Sequence, residues 1–261
     1  MLYRYNIHFS PACSLQDRLL DLLYAWRNAG WIDYWMLWEQ DLAGNVTLMV
    51  GGLAPLEADA LAQCVPRARG SDWTEIPFEI RACQQAEDHD VAFADPSDLG
   101  AIVIDTRYTY YGTPLRTLSD WRVVPLRWLP GMEDGFDELL DWVETNDALI
   151  HLWTSDTIGH RTIVKEIMDP ASRHNAAGRK VCAQIEQRTG IPTYLYVWRC
   201  HYHTSLRQEL AFRLGVDHKE ASELVTDHRH YKFINHQERM VSNISVERAK
   251  AFYKWLERQS H

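Results

Sequence analysis

Residues 2–9 (LYRYNIHF) alternate between apolar and polar, which predicts a strand, because successive strand side chains point to opposite faces. Ser14 with Asp17 three residues later gives a capping-box-like helix start. Leu15, Leu19, Leu22, Leu23 and Trp26 then share one helical face, and Gly30 stops the helix. Two strands follow, over 33–41 and 45–51, with Ala43-Gly44-Asn45 as the hairpin turn between them. A helix over 55–64 completes a β-α-β-β-α run, the order of a ferredoxin-like layer spanning 1–95. Pro66, Gly70, Pro77 and Pro96 punctuate residues 65–100. The acidic, turn-rich stretch from Ala86 to Asp98 predicts a boundary or a long surface loop there.

Beyond residue 100 the pattern predicts a mixed α/β part. Strands are expected at 100–108 and 121–129, with Pro125 and Pro130 at an edge. Phe136, Leu139, Leu140 and Val143 predict a helix over 133–145, and the apolar run Ala148–Trp153 reads as a buried strand. A helix to about 168 follows, and Asp169-Pro170 opens another as N-cap and first-turn proline. In that helix Ala177, Val181 and Ile185 recur every four residues, and Gly190 with Pro192 closes it. Residues 193–199 place Tyr194, Tyr196 and Trp198 on one strand face and Leu195 and Val197 on the other. Ser245 caps a last helix over 246–258 with Ala249, Phe252, Tyr253 and Leu256 on one side. The expected class is α/β in the α+β sense, with regions 1–95, 100–200 and 201–261.

The chain has 261 residues, 46% hydrophobic and 24% charged, which excludes wholesale disorder. Its eleven Trp and twelve Tyr suit either interfaces or sheet cores. No window approaches the roughly 18 apolar residues of a membrane span, and the first residues are no signal peptide. The five cysteines are odd in number and scattered, which points to a reducing cytoplasm. Net charge is −9 and unevenly placed. From Cys200 onward ten Lys/Arg meet eight Asp/Glu, whereas the first 199 residues carry 17 against 28. An acidic body repels phosphate backbones and suits a basic protein partner.

Four stretches carry a resemblance: Tyr111-Gly112-Thr113-Pro114-Leu115-Arg116, Val124-Pro125-Leu126, Ala176–Tyr196 (AAGRKVCAQIEQRTGIPTYLY) and Phe233–Ile244 (FINHQERMVSNI). Together they resemble a bacterial family of uncharacterised proteins described as zinc-ribbon-containing and as candidates for nucleic-acid binding. The resemblance implies two Cys-x-x-Cys pairs holding a structural zinc. Here the second pair falls on Asn235 and Glu238, and the upstream stretch Leu214–Lys219 has no cysteine. All four expected thiolates are missing, so the implied ribbon is a degenerate, zinc-free one, with Phe233 and Ile244 as packing anchors.

Other chemistry is sparse. Cys200, His203, His228 and His230 could form a mixed zinc set, with Asp227 and His236 nearby, but nothing in the pattern supports them, and solvated histidines are the expectation. There is no nucleophile elbow, Gly-rich phosphate loop or His-Glu-x-x-His, so no catalytic residue, metal or cofactor is assigned. The expected function is non-catalytic binding, as an immunity or antitoxin protein that neutralises a basic toxin domain. The expected contact face is Glu133, Asp134, Asp137, Glu138 and Asp141 with Trp142 beside them. One alternative is nucleic-acid binding, with bases stacked on Tyr194, Tyr196 and Trp198. The other is an enzyme of unrecognised type.

Overall fold

The computed structural model describes residues 2–9, 23, 26–27, 30, 32, 34–40, 46–52, 78–86, 92, 94–105, 113–132, 135–155, 159–199, 205–211, 214–216 and 222–259. The chain divides into two units, one of residues 1–96, 108–113 and 122–137, the other of 97–107, 114–121 and 138–261.

The first unit holds β1 (Leu2–Phe9), β2 (Tyr34–Gln40), β3 (Val46–Gly52) and β4 (Phe78–Ala86). Their order is β2-β3-β1-β4, with every neighbouring pair antiparallel. That is the strand order of a ferredoxin-like sheet. β4 is a strand within 65–100, where the sequence reading expected none. It lies along all of β1, from Leu2 opposite Ala86 to Phe9 opposite Phe78, with an irregularity between Asn6 and Ile7. Its own alternation is weak, and the partner strand rather than local pattern makes it a strand. The expected turn at 43–45 and helix over 55–64 lie outside the described residues. Residues 23, 26 and 27 are helical, and Gly30 follows with φ 74°. A Cβ on Gly30 would come within 3.0 Å of Arg127 N and 3.2 Å of Leu126 Cβ, so both conformation and space require glycine.

The second unit is built on β5 (Ile102–Ile104), β6 (Leu115–Thr117), β7 (Thr193–Tyr196), β8 (Glu223–Leu224), β9 (Phe233–Asn235) and β10 (Met240–Ser242). Among the described residues they form one sheet in the order β6-β5-β7-β10-β9-β8. β7 runs parallel to both β5 and β10, and the outer pairs are antiparallel. Strands from the 100–200 and 201–261 stretches thus share one sheet. Its helices are α1 (Asp137–Thr154), α2 (His160–Met168), α3 (Arg173–Thr189), α4 (Leu206–Leu210) and α5 (Val246–Gln259). A mixed sheet with helices is the expected α+β class.

Three local expectations are overturned. The run 148–153 is the last part of α1, not a strand. Helical spacing sets Leu149, Ile150 and Trp153 against Ile163, Ile167 and Met168 of α2, and a short apolar run fits either period. The expected strand over 121–129 is a single bridge at Val123 followed by a 3-10 turn at Leu126–Trp128, whereas β6 upstream pairs with β5. Asp169 ends α2 instead of opening α3. The N-cap of α3 is Ser172, whose Oγ accepts from Asn175 N at 3.1 Å, while the Asp169 carboxylate accepts from Ala171 N at 2.9 Å. Gly190 closes α3 with φ 72°, as the sequence predicts.

Candidate binding groove

Helix α1 carries five carboxylates, at 137, 138, 141, 144 and 147, and no Lys or Arg. Its other face buries Leu139, Leu140, Trp142, Val143 and Asn146. Trp142 locks α1 to α3. The indole lies directly on Gly178, where a Cβ would meet the ring at 2.7 Å. Its Nε1–H donates to the His174 carbonyl at 3.0 Å, and the ring stacks on the His174 imidazole at 4.9 Å and 10°. A glycine inside a helix costs helix propensity, and here that cost is offset by the close approach it permits.

His174 is itself fixed on three sides. Asn146 Oδ1 lies 3.0 Å from its Nε2, Trp142 covers one ring face, and the Glu166 carboxylate accepts its backbone N–H at 2.9 Å. Burial holds the His174 imidazole below the usual histidine range, and the nearby Glu166 charge opposes that shift without reversing it. The shift favours the neutral ring.

Above this contact lies a groove of about 610 Å³, within the size range of binding sites. Trp142, Leu149, Ala177 and Val181 give it an apolar lining. Glu138 and Asp141 line it from α1, Arg173 and Lys180 from α3. These four side chains are exposed and form no ion pair with one another. The groove is thus an apolar trough between an acidic rail and a basic one.

The structure sorts the predicted contact residues. Glu138 and Asp141 stand at the groove, and Asp137 is exposed at the start of α1. Glu133 and Asp134 lie outside the described residues. Trp142 does not stand free beside the acids. It is 6% exposed and serves as floor and helix lock. Arg173, Lys180, His174 and Gly178 are residues the sequence reading missed. The mid-helix glycine was the one available signal of a close approach.

The aromatic face of β7 offers no open stacking platform. Tyr194 and Tyr196 are 3% and 6% exposed and pack with Val103, Trp121, Tyr231, Ile234 and Val241. Trp198 is half-buried and meets Trp153 edge-on at 5.1 Å. The Tyr194 hydroxyl is held by Arg239 Nη1 at 3.1 Å and His236 Nδ1 at 2.8 Å, and the Arg239 guanidinium sits over its ring. Arg239 in turn grips Glu186 with two bonds of 2.9 and 3.1 Å, which draws the Glu186 carboxyl below its usual range.

Of the described tail histidines, His228 is tied into the protein. His228 Nε2 bonds the Ser119 carbonyl at 3.1 Å, while its Nδ1 accepts from His230 N and Tyr231 N. Both ring nitrogens are engaged, and the ring packs between Trp121 and Tyr231. Cys200 and His203 lie outside the described residues. Among those described, no three His, Cys, Asp or Glu side chains converge as metal ligands. No helix among them is long and apolar enough to cross a membrane.

Comparison with known proteins finds a partial match to a domain without an assigned function. A domain of unknown function, DUF2310, matches residues 98–198, a stretch containing α1, α3 and the whole groove. Two uncharacterized proteins of Haemophilus influenzae are each 28% identical over 98 residues, or 37% of this chain. The chain covers 48% of one relative's length and 38% of the other's. Neither the family's description nor the relatives' names mention zinc or nucleic acid. No solved structure matches.

Proposed function

We propose that this chain is a binding protein that seats a segment of a partner protein in the α1–α3 groove. The observation that carries the reading is the apolar trough between rails of opposite, unpaired charge. A polypeptide segment with an apolar face and charged flanks satisfies all three at once, whereas a nucleic-acid backbone would meet Glu138 and Asp141 as repulsion. The sharper form is an immunity or antitoxin role against a basic toxin domain. Its support is the net charge of −9 and an acidic α1 without a single Lys or Arg.

The test is capture of partners by the tagged full-length chain from its native cells, with and without nuclease, at low and high salt. The parent and the Glu138→Lys/Asp141→Lys variant are compared side by side. The expected result is one protein retained after nuclease treatment and lost from the double variant. Nucleic acid recovered in its place, removed by nuclease and by salt, would overturn the reading in favour of nucleic-acid binding. Equal retention by both forms would show that the partner sits elsewhere.

A further inference from the structure

We propose that Asn235 and Glu238 close the loops of the C-terminal segment by hydrogen bonds at the place where the ribbon resemblance puts a metal, so that its fold needs no ion. Residues 214–216 and the turn between β9 and β10 are about twenty residues apart in sequence, and the structure ties them together. Asn235 Nδ2 donates to the Leu214 carbonyl at 2.6 Å. Val216 N–H donates to the Glu238 carboxylate, 3.1 and 3.0 Å from its two oxygens. Glu238 N–H donates to Asn235 Oδ1 at 3.0 Å, and Leu214 N–H donates to Ser222 Oγ.

The Asn235–Leu214 bond is buried, whereas the Val216–Glu238 bonds lie at the surface, with Val216 38% exposed. Asn235 is 5% exposed and uses both ends of its amide, one on each loop. Groups buried in this way cost stability unless they are partnered, and here each has its partner. A zinc does not fit the same space. An ideal Cβ on Gly215 would lie 3.3 Å from Glu238 Oε1 and 3.4 Å from Asn235 Nδ2, so the side chains rest directly on the loop backbone. The Asn235 amide nitrogen has no lone pair to give, and the carboxylate already serves a backbone N–H. An amide and one carboxylate are also hard, weak donors for a site built on four thiolates.

The arrangement changes what holds the segment. A metal cross-link makes folding depend on ion supply and on deprotonated ligands. A hydrogen-bonded closure depends on the chain's own side chains. It leaves the segment indifferent to chelators.

The experiment uses the full chain. Metal content is measured on the purified protein, and thermal unfolding is followed with and without excess chelator for the parent, Asn235→Ala and Glu238→Ala. Amide hydrogen exchange at Val216 is read in the parent and in Glu238→Ala, an off-core change that is expected to fold and that removes the acceptor. The expected result is well under one metal ion per chain and a melting temperature unmoved by chelator. Asn235→Ala is expected to lower it by roughly 3–8 °C, the usual cost of orphaning a buried backbone carbonyl in a chain of this size. Val216 should exchange at least tenfold faster in Glu238→Ala than in the parent. Stoichiometric zinc, a chelator-induced fall in melting temperature, or unchanged Val216 protection in Glu238→Ala would each overturn the proposal.

Discussion

Replacing Gly178 by alanine separates the two opposing roles of that residue. In a free helix interior the change is worth about 1 kcal/mol in favour of the helix. Here the new methyl would lie 2.7 Å from Trp142 Cζ2, 2.8 Å from Cε2 and 3.0 Å from Leu195 Cδ1. Overpacking of this kind costs about 1–3 kcal/mol. The indole cannot swing aside cheaply, because its Nε1–H is bonded to the His174 carbonyl and its ring is stacked on the imidazole. Breaking that buried bond alone costs about 1–3 kcal/mol. The clash therefore wins, and Gly178→Ala should destabilise the protein by about 1–2 kcal/mol, lowering the melting temperature by roughly 2–8 °C. Thermal unfolding by circular dichroism reads the shift directly. Trp142→Leu, destabilising by itself, should remove the clash, so that the double variant is about 1–2 kcal/mol more stable than the sum of the two losses. A Gly178→Ala protein that melts at or above the parent would refute the close packing of α1 on α3, and simple additivity would refute its assignment to Trp142.

Other expectations follow from the same geometry. Arg199 and Glu209 form an ion pair at 3.3 Å, 3% and 0% exposed, and Glu209 also accepts from Ser245 N. Arg199→Met should therefore cost about 3–5 kcal/mol by stranding a buried carboxylate, and adding Glu209→Gln should recover part of that loss in urea unfolding. His174 is held below its usual 6.5 by burial, so the fold favours the neutral ring; the resulting stability is complete above about pH 6.5 and is lost as pH falls through the lowered value. The urea midpoint should thus fall as the pH is lowered below 6.5, and His174→Gln should flatten part of the fall, because His228 is shifted in the same direction; an unchanged slope would remove His174 from the account. Glu138→Lys and Asp141→Lys are exposed changes and should each move stability by no more than about 0.5 kcal/mol, so that any loss of partner in those variants reports on contact and not on folding.

The parts of the fold legible in the sequence are those whose signal is local. Alternation marks β1, apolar runs on either side of a turn signal mark β2 and β3, and the four-residue recurrence with Gly190 marks α3. β4 escaped because its ladder with β1 joins segments some seventy residues apart, and FEIRACQQA does not alternate cleanly. Residues 148–153 misled for another reason. Six apolar-rich residues fit a buried strand as well as the end of a helix, and only the contact with α2 decides. At the site, the acidic rail was legible as charge on a helix face. The basic rail was not, since Arg173 and Lys180 become its counterpart only when Trp142 settles on Gly178. The aromatic face of β7 was placed correctly as a face, but its burial under Trp121 and Tyr231 depends on neighbours the local sequence does not contain.

The interleaving of the two units has a consequence for dissecting the molecule. The chain passes between them five times, and β5 and β6 are donated to the second unit from between pieces of the first. No single cut can therefore release either unit intact. A fragment beginning at α1 would keep β7 and β10 but leave β7 without its parallel neighbour β5. A fragment trimmed to residues 98–198 would keep β5 and leave β7 bare where β10 belongs. Gene truncation, domain swapping between relatives and two-hybrid fragments all presuppose modules that can be excised. This molecule is better approached by point substitution, because its units are knitted from shared lengths of chain.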